Sequence, residues 1–358
     1  MPPKKAKVTK REQSDDESDN ESVRTLTSIQ VDNGSEIDPT EADVGFKIQS
    51  VQSIELRELL DFLSDPKLIN GTQDPSTNII DRRALKCYNI PDIKIPKFFK
   101  LLEACRRQNL RTMFEEKQQE YSGIMLDFDI YQSEETKQIN EEILYTLCQK
   151  ILELLISIVN FQDTRKEIFH IGITRRPQIT YDEEHKCYKD GLHMLIPGIK
   201  ITRAAKKLLI HKLLTLEVID KVLADVEPAD ITIKGEQYQR KHFLDKMSAS
   251  VPTFFIGSST KKGHAAYKLT HIYEATINFE TKNIMLTKNV SLLTSKKFNV
   301  CNEFSINYEC KDGVIKKRKY ELLDRYASEA VELDNKNSKS DEELIRNFGS
   351  LSTNAIHD

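Results

Sequence analysis

The feature that most limits what this chain can fold into is the run "YSGIMLDFDI" at residues 121–130, an apolar stretch ending in two alternating acids, Asp127 and Asp129. Its centre, Ile124-Met125-Leu126, reads as a buried strand, and a buried strand does not finish in paired carboxylates unless something offsets their charge. Side chains alternate between strand faces, so the two acids point the same way, roughly 6.6 Å apart over two residue rises, while Ile124, Leu126 and Phe128 take the other face. At an effective dielectric of about 20 the two charges repel by roughly 2.5 kcal/mol. A divalent cation reverses the sign of that term. Carboxylate oxygens are the ligands Mg²⁺ and Mn²⁺ prefer, and two ions about 3.5–4 Å apart, as metal-dependent phosphoryl transfer uses them, fit beside such a pair. A solvated strand edge also carries two acids often enough that the neighbouring sequence must decide.

Around this run the hydrophobic period switches repeatedly. The pattern predicts a strand over 122–129, a helix over roughly 136–160, a strand over 167–174, a polar connection "RPQITYDEEHKCYKDG", a strand over 191–197 and a helix over roughly 202–225. Ile139, Ile143, Leu147, Ile151, Leu154 and Ile158 share one stripe, as expected of a helix packed on a sheet. Further strands are expected at "PTFFIGS" and "AYKLTHIYEATINF", which makes the fold class α+β. Upstream, "SIELRELLDFL" and "IPKFFKLLEACRRQN" predict a mostly helical amino-terminal cap. The expected division is a disordered charged tail at 1–45, the cap and start of the core at 46–120, a catalytic core at 121–285, and an extension or linker at 286–358.

The tail opens with "KKAKVTKR" and passes into "EQSDDESDNES", too polar to bury enough surface to offset its ordering entropy. The basic cluster fits a nuclear-import or nucleic-acid patch, but the plainer reading of a solubilising tail is preferred and no function is assigned to it. Hydrophobic residues make up 39% of the 358, enough for a real core. Six cysteines without close pairing are expected as free thiols of a reducing compartment. The longest apolar run, "ILELLISIVNF", is too short for a membrane span and carries Glu153, and no signal peptide is evident, so an intracellular protein without membrane attachment is expected. A formal charge of −3 neither supports nor excludes a nucleic-acid partner.

Downstream stretches supply company for the acids. In "KCYKDGLHMLIPGIKITR", Lys189, Gly191 and His193 stand at alternate positions entering a strand, so the three can line one face as a basic, close-approach surface for phosphates. In "FLDKMSASVPTFFIGSSTKKG" a third acid, Asp245, precedes a strand that runs into Gly257, Ser258, Lys261 and Lys262, donors suited to a triphosphate or a template backbone. Each also has an ordinary structural role: a satisfied core histidine, a turn acid, an exposed loop pair of lysines.

Taken in order, these stretches resemble the archaeo-eukaryotic primase superfamily, and within it the primase part of the primase-helicases of nucleocytoplasmic large DNA viruses. "IMLDFDI" is similar to the first motif, "YKDGLHMLIPGIKIT" to the second and "FLDKMSASVPTFFIGSSTKKG" to the third, over roughly residues 95–275. The resemblance implies an archaeo-eukaryotic primase fold, in which an amino-terminal α/β unit packs on an RNA-recognition-like module and the cleft between them takes template, nucleotide and metal. It implies that Asp127, Asp129 and Asp245 are the catalytic, metal-holding acids, that His193 touches the phosphates of the incoming nucleotide, and that Lys189 with Lys261 or Lys262 helps neutralise them. Two departures stand out. Many relatives have serine where this chain has Gly191, and a basic residue often found after the third motif has no counterpart in "VPTFFIGS".

The expected activity is primer synthesis on single-stranded DNA from nucleoside triphosphates with two Mg²⁺ or Mn²⁺ ions, in viral DNA replication. The host cytoplasm, in a virus factory, or the nucleus is the expected location. No G-x-x-x-x-G-K-[ST] phosphate loop occurs in these residues, so the chain is expected to be a stand-alone primase or the amino-terminal part of a longer protein with a helicase and replication proteins as partners. Two other readings stay open: a metal-dependent nuclease or glycosyltransferase, and a non-catalytic DNA-binding module whose basic segments "TRAAKK", "QRKH" and "KKRK" track phosphates. Zinc is not expected, because neither His185 with Cys187 nor Cys301 with Cys310 has the spacing of a strong site.

Overall fold

The computed structural model describes residues 53–71, 74–161, 166–233, 235–257, 266–308 and 318–335. The amino-terminal half runs α1 (Ile54–Leu63), β1 (Ile69–Asn70), β2 (Ile79–Asp81), β3 (Lys86–Tyr88), α2 (Ile95–Arg107), β4 (Phe114–Glu116), β5 (Tyr121–Gln132), α3 (Glu141–Ile158) and β6 (Val159–Asn160). Next come β7 (Lys166–Arg175), β8 (Thr180–Asp182), β9 (Cys187–Thr202), α4 (Arg203–Thr215), α5 (Val218–Val222), β10 (Thr232–Ile233), β11 (Glu236–Gln237) and β12 (Thr253–Phe254). The chain closes with β13 (Lys268–Asn278), β14 (Asn283–Lys288), α6 (Val290–Thr294), α7 (Val300–Glu303), β15 (Arg318–Lys319) and β16 (Glu321–Leu322), followed by helix over 324–335.

A large antiparallel sheet carries the architecture, with β14, β13, β7 and β9 side by side and β5 on the other edge of β9. Period-2 alternation divides its side chains cleanly. Ile124, Leu126, Phe128 and Ile130 of β5, with Ile171 and Ile173 of β7 and Leu192, Met194 and Ile196 of β9, are buried in one cluster with Leu144, Leu147, Ile151 and Leu155 of α3 and Leu209 and Leu213 of α4. Of the expected stripe, Leu147, Ile151, Leu154 and Ile158 are buried on α3, Ile143 is half-buried and Ile139 precedes the helix, while Leu144, Cys148, Leu152 and Leu155 widen the buried face. Helix α3 begins at Glu141, later than the pattern suggested, because Asn140 caps it by accepting the Ile143 N–H at 2.9 Å. The helix expected over 202–225 is two helices, interrupted where Glu217 takes a left-handed backbone, φ 56°.

The opposite face of the sheet is covered differently. Met125 and Leu195 pack there with Ile256, Ile272, Val300, Phe304 and Ile306. The ring of Phe304 lies where only a residue without a side chain fits: a Cβ on Gly172 would approach it to 2.6 Å. Residues 305–307 are pinned by buried Glu116, which accepts from Ser305 Oγ at 2.6 Å and from the backbone N–H groups of Ile306 at 2.8 Å and Asn307 at 3.0 Å. Part of the stretch expected as a carboxyl-terminal extension is therefore woven into this face.

Two expectations need correction. The segment read as a mostly helical cap holds α1 and α2, but it also supplies β1, β2, β3 and β4 to a second, five-stranded sheet in the order β1-β3-β2-β4-β12. Its strands are two or three residues long, too short to show a period. Phe98 and Phe99 of α2 pack there against Phe114 and Phe255. The polar connection after β7 is a hairpin, in which β8 pairs with the start of β9 in the register Thr180↔Lys189 to Asp182↔Cys187. Its mainly polar sequence hid the alternation.

Candidate active site

The register of three strands assembles the site. Strand β9 pairs with β5 so that His193 opposes Asp127, Gly191 opposes Asp129 and Lys189 opposes Tyr131. Directly opposed residues in an antiparallel pair share a face, so both acids, the histidine and the lysine rise from the face away from α3 and α4. On the far edge of β5 the chain passes again at residues 243–245: Asp129 N–H donates to Phe243 O at 2.9 Å, Asp245 N–H donates to Asp127 O at 2.8 Å, and Phe128 bridges Leu244. Asp127 and Asp129 thus share one strand, and Asp245 lies on an irregular segment whose backbone passes the edge of β5 beside Asp127. The Asp245 carboxylate caps the 3₁₀ turn Lys246–Ala249, accepting the Met247 N–H at 2.9 Å.

Each acid of β5 faces a nitrogen-bearing side chain. Lys189 Nζ stands 2.9 Å from Asp129 Oδ2 and 3.4 Å from the Tyr131 hydroxyl, and 4.9 Å from the centre of the Tyr131 ring. Burial works to lower the Lys189 pKa, but the Asp129 carboxylate and Tyr131 outweigh it and hold the ammonium above its ordinary value. His193 Nε2 lies 3.3 Å from Asp127 Oδ1. Burial pushes the Asp127 carboxyl up, and His193, Lys189 and Arg176 together pull it below its usual range.

Asp127 Oδ1 is nonetheless buried without a hydrogen bond of proper geometry. An orphaned carboxylate oxygen is a hard donor and fits a hard divalent cation such as Mg²⁺ or Mn²⁺ in kind. Among the described residues no three His, Cys, Asp or Glu side chains are gathered tightly enough to enclose one ion, since Asp129 is closed on Lys189 and Asp245 on its cap. Cys187 and Cys301 are buried thiols, His185 Nδ1 contacts Asp182 at 3.1 Å, and Cys310 lies outside the described residues. Ser258, Lys261 and Lys262 also lie outside them, whereas Gly257 is described, at φ 88°.

Two site residues carried no signal in the sequence. Tyr267 stacks its ring on His193 with centroids 4.2 Å apart and planes 10° from parallel. Arg176, at the end of β7, holds Nη2 3.4 Å from the Tyr267 hydroxyl. Thr174, His193, Leu195, Phe254, Phe255, Ile256 and Tyr267 line a shallow depression beside them. Tyr267 is 74 positions beyond His193 in the sequence, so no local spacing could reveal it; the "TRRP" that holds Arg176 looks like any strand end.

Some residues of the basic segments that would track DNA phosphates in a non-catalytic module have partners within the fold, while Lys241 and Lys319 are exposed and Lys316 and Lys317 lie outside the described residues. Arg203 and Lys207 both pair with Asp334 at 3.1 Å, Lys206 is buried, Arg240 donates to Val226 O at 2.9 Å, and Arg318 pairs with Glu167. Among the described residues no helix is long and apolar enough to cross a membrane.

Comparison with known proteins agrees with the motif order. The family model described as the C962R protein N-terminal AEP domain matches residues 77–273, which include β5, β9 and Asp245. The protein named "Putative primase C962R" of African swine fever virus is 29% identical over 265 residues in both a Kenyan pig isolate and the Badajoz strain, covering 74% of this chain and 25% of each relative. In a Malawian tick isolate it is 27% identical over 264 residues, with the same coverage. The chain spans about a quarter of the length of the curated relatives it matches.

Proposed function

Because the chain belongs to the archaeo-eukaryotic primase family of the C962R amino-terminal domain, we propose that it is a nucleotidyltransferase that lays primers on single-stranded DNA from nucleoside triphosphates. The observation that supports the reading is the β5–β9 register, which puts Asp127 opposite His193 and Asp129 opposite Gly191 with Lys189 Nζ 2.9 Å from Asp129, while the backbone of Asp245 is bonded to that of Asp127. An incoming triphosphate brings about four negative charges, and a row of acids alone would repel it. The cations beside the acids supply its counter-charge.

In this reading Asp127, Asp129 and Asp245 would hold Mg²⁺ or Mn²⁺. When bound, the metal supplies charge neutralisation and lowers the pKa of the attacking 3′-hydroxyl. Lys189 exchanges Asp129 for phosphate oxygen when the nucleotide enters, so its ammonium neutralises the charge that gathers on the departing pyrophosphate. His193 donates from Nε2 to a phosphate oxygen and is held in place by the Tyr267 ring on its face. Asp245 keeps its backbone bond to Asp127, which fixes the spacing of the two strands while carboxylates rearrange. Partners follow from the reaction: a single-stranded template, nucleoside triphosphates and, in the length of the relatives beyond the match, a helicase and other replication proteins.

The test is incorporation of labelled nucleotides on a single-stranded template with Mg²⁺ and Mn²⁺ compared. Asp127→Ala/Asp129→Ala should abolish incorporation while the melting temperature stays within a few degrees of the parent. Strand initiation or extension by the folded double variant refutes the reading, and cutting of the template by the parent protein identifies a nuclease instead.

A further inference from the structure

Arg176 and Tyr267 crowd the row of Lys189, Gly191 and His193 from outside it. Arg176 follows β7 and Tyr267 precedes β13, two strands that are themselves paired in the register Arg175↔Lys268. The Tyr267 hydroxyl rests against Gly191, where a Cβ would come within 2.3 Å of it. A hydroxyl therefore occupies this point of the row although residue 191 has no side chain to supply one. Arg176 holds that hydroxyl with Nη2 at 3.4 Å and stands with its guanidinium carbon 5.6 Å from the ring centre. Nη1 donates to Thr180 Oγ1 at 3.1 Å, so neither hydrogen-bond partner carries a charge, although the guanidinium is near enough to Asp127 to help hold that carboxyl down, and Nε is buried without a hydrogen bond. Lys189 differs, being closed on a carboxylate. A part-buried guanidinium with an unsatisfied donor is costly to keep unless an anion completes it, and its planar fork matches two oxygens of one phosphate.

We infer that Arg176 and Tyr267 form an anion-binding corner of the site that takes a phosphate group of the incoming nucleoside triphosphate. The inference rests on the primase reading of the same face. The same chemistry would suit a phosphate of the template backbone, and separate ligands distinguish the two sources.

Calorimetric titration of the full chain provides the test, with a non-hydrolysable deoxynucleoside triphosphate, with inorganic tripolyphosphate and with a single-stranded oligonucleotide as separate ligands. Arg176→Gln should weaken both triphosphate ligands by about ten- to a hundredfold, and Tyr267→Phe by about two- to tenfold, while oligonucleotide affinity changes by less than about twofold. Melting curves establish that each variant is folded. Should Arg176→Gln unfold, Arg176→Lys, which keeps the charge and loses the fork, is expected to weaken tripolyphosphate severalfold. Parental triphosphate affinity in a folded Arg176 variant overturns the inference and leaves the primase reading standing, as does a loss confined to the oligonucleotide. Failure of the parent protein to bind either triphosphate ligand overturns both.

Discussion

Replacing Gly191 by alanine tests the geometry of the site without touching a charge. The new Cβ would lie 2.3 Å from the Tyr267 hydroxyl, 3.3 Å from its Cζ and 3.4 Å from Phe128 O. Ordinary contact begins at 3.4 Å, so the hydroxyl must withdraw by about 1.1 Å, the difference between the two distances. The ring is not free to slide, because His193 lies under it at 4.2 Å and Arg176 stands beside it. Overpacking of this kind costs about 1–3 kcal/mol, and alanine recovers about 0.5–1 kcal/mol by restricting the unfolded chain. Gly191→Ala should therefore destabilise by up to about 2.5 kcal/mol, the difference of those two ranges. Tyr267→Phe removes the clashing oxygen and leaves Cζ, a contact tight by only a tenth of an ångström. In the Tyr267→Phe background the alanine should then be neutral or stabilising, a coupling of about 1–2 kcal/mol. Urea denaturation of the four proteins measures it. Additive effects, within about 0.5 kcal/mol, would refute the placement of Tyr267 over Gly191.

Lys206 is almost fully buried, donates to Gln118 and Ser122, and has its pKa pushed down to about 7, first by burial and then by Arg203, against the pull of Glu116. Between that value and about 10.4 the unfolded chain binds the extra proton, so stability should rise with pH by about 1.4 kcal/mol per unit, or about 2–3 kcal/mol from pH 7.5 to 9.5. Lys206→Met should remove this slope in denaturant titrations across that range, and a variant with the parent's pH dependence would contradict the assignment. On the helix-covered face, Arg175 Nη2 pairs with buried Asp190 at 3.0 Å and Nη1 donates to Ile139 O at 2.8 Å. Asp190→Ala strands that guanidinium and should cost about 3–5 kcal/mol by urea denaturation, where a loss below about 1 kcal/mol would show that water reaches it.

The site was legible to the extent that its chemistry runs along single strands. The apolar positions 124, 126 and 128 against acids at 127 and 129, and the alternation of Lys189, Gly191 and His193, are period-2 signals that survive in the fold because one face of β5 and β9 is dry and the other carries the charges. The stripe on α3 was legible for the same reason at period 3.6. What escaped has a different physical origin. Strands of two or three residues in the second sheet are defined by their partners, with too few residues to show a pattern. Phe304 and Ile306 are buried because Glu116, nearly two hundred residues earlier, gathers the backbone around them. Tyr267 and Arg176 enter the site through the pairing of β7 with β13, a tertiary event that no spacing announces.

Binding of Mn²⁺ followed by electron paramagnetic resonance, with a non-hydrolysable triphosphate present, tests most directly whether the acids on these strands hold metal for nucleotide chemistry. The parent protein should sequester Mn²⁺ from the free hexaaquo signal, and Asp127→Asn/Asp129→Asn should lose that binding while retaining its fold. Equal Mn²⁺ uptake by the folded double variant, or none by the parent protein, would contradict the account.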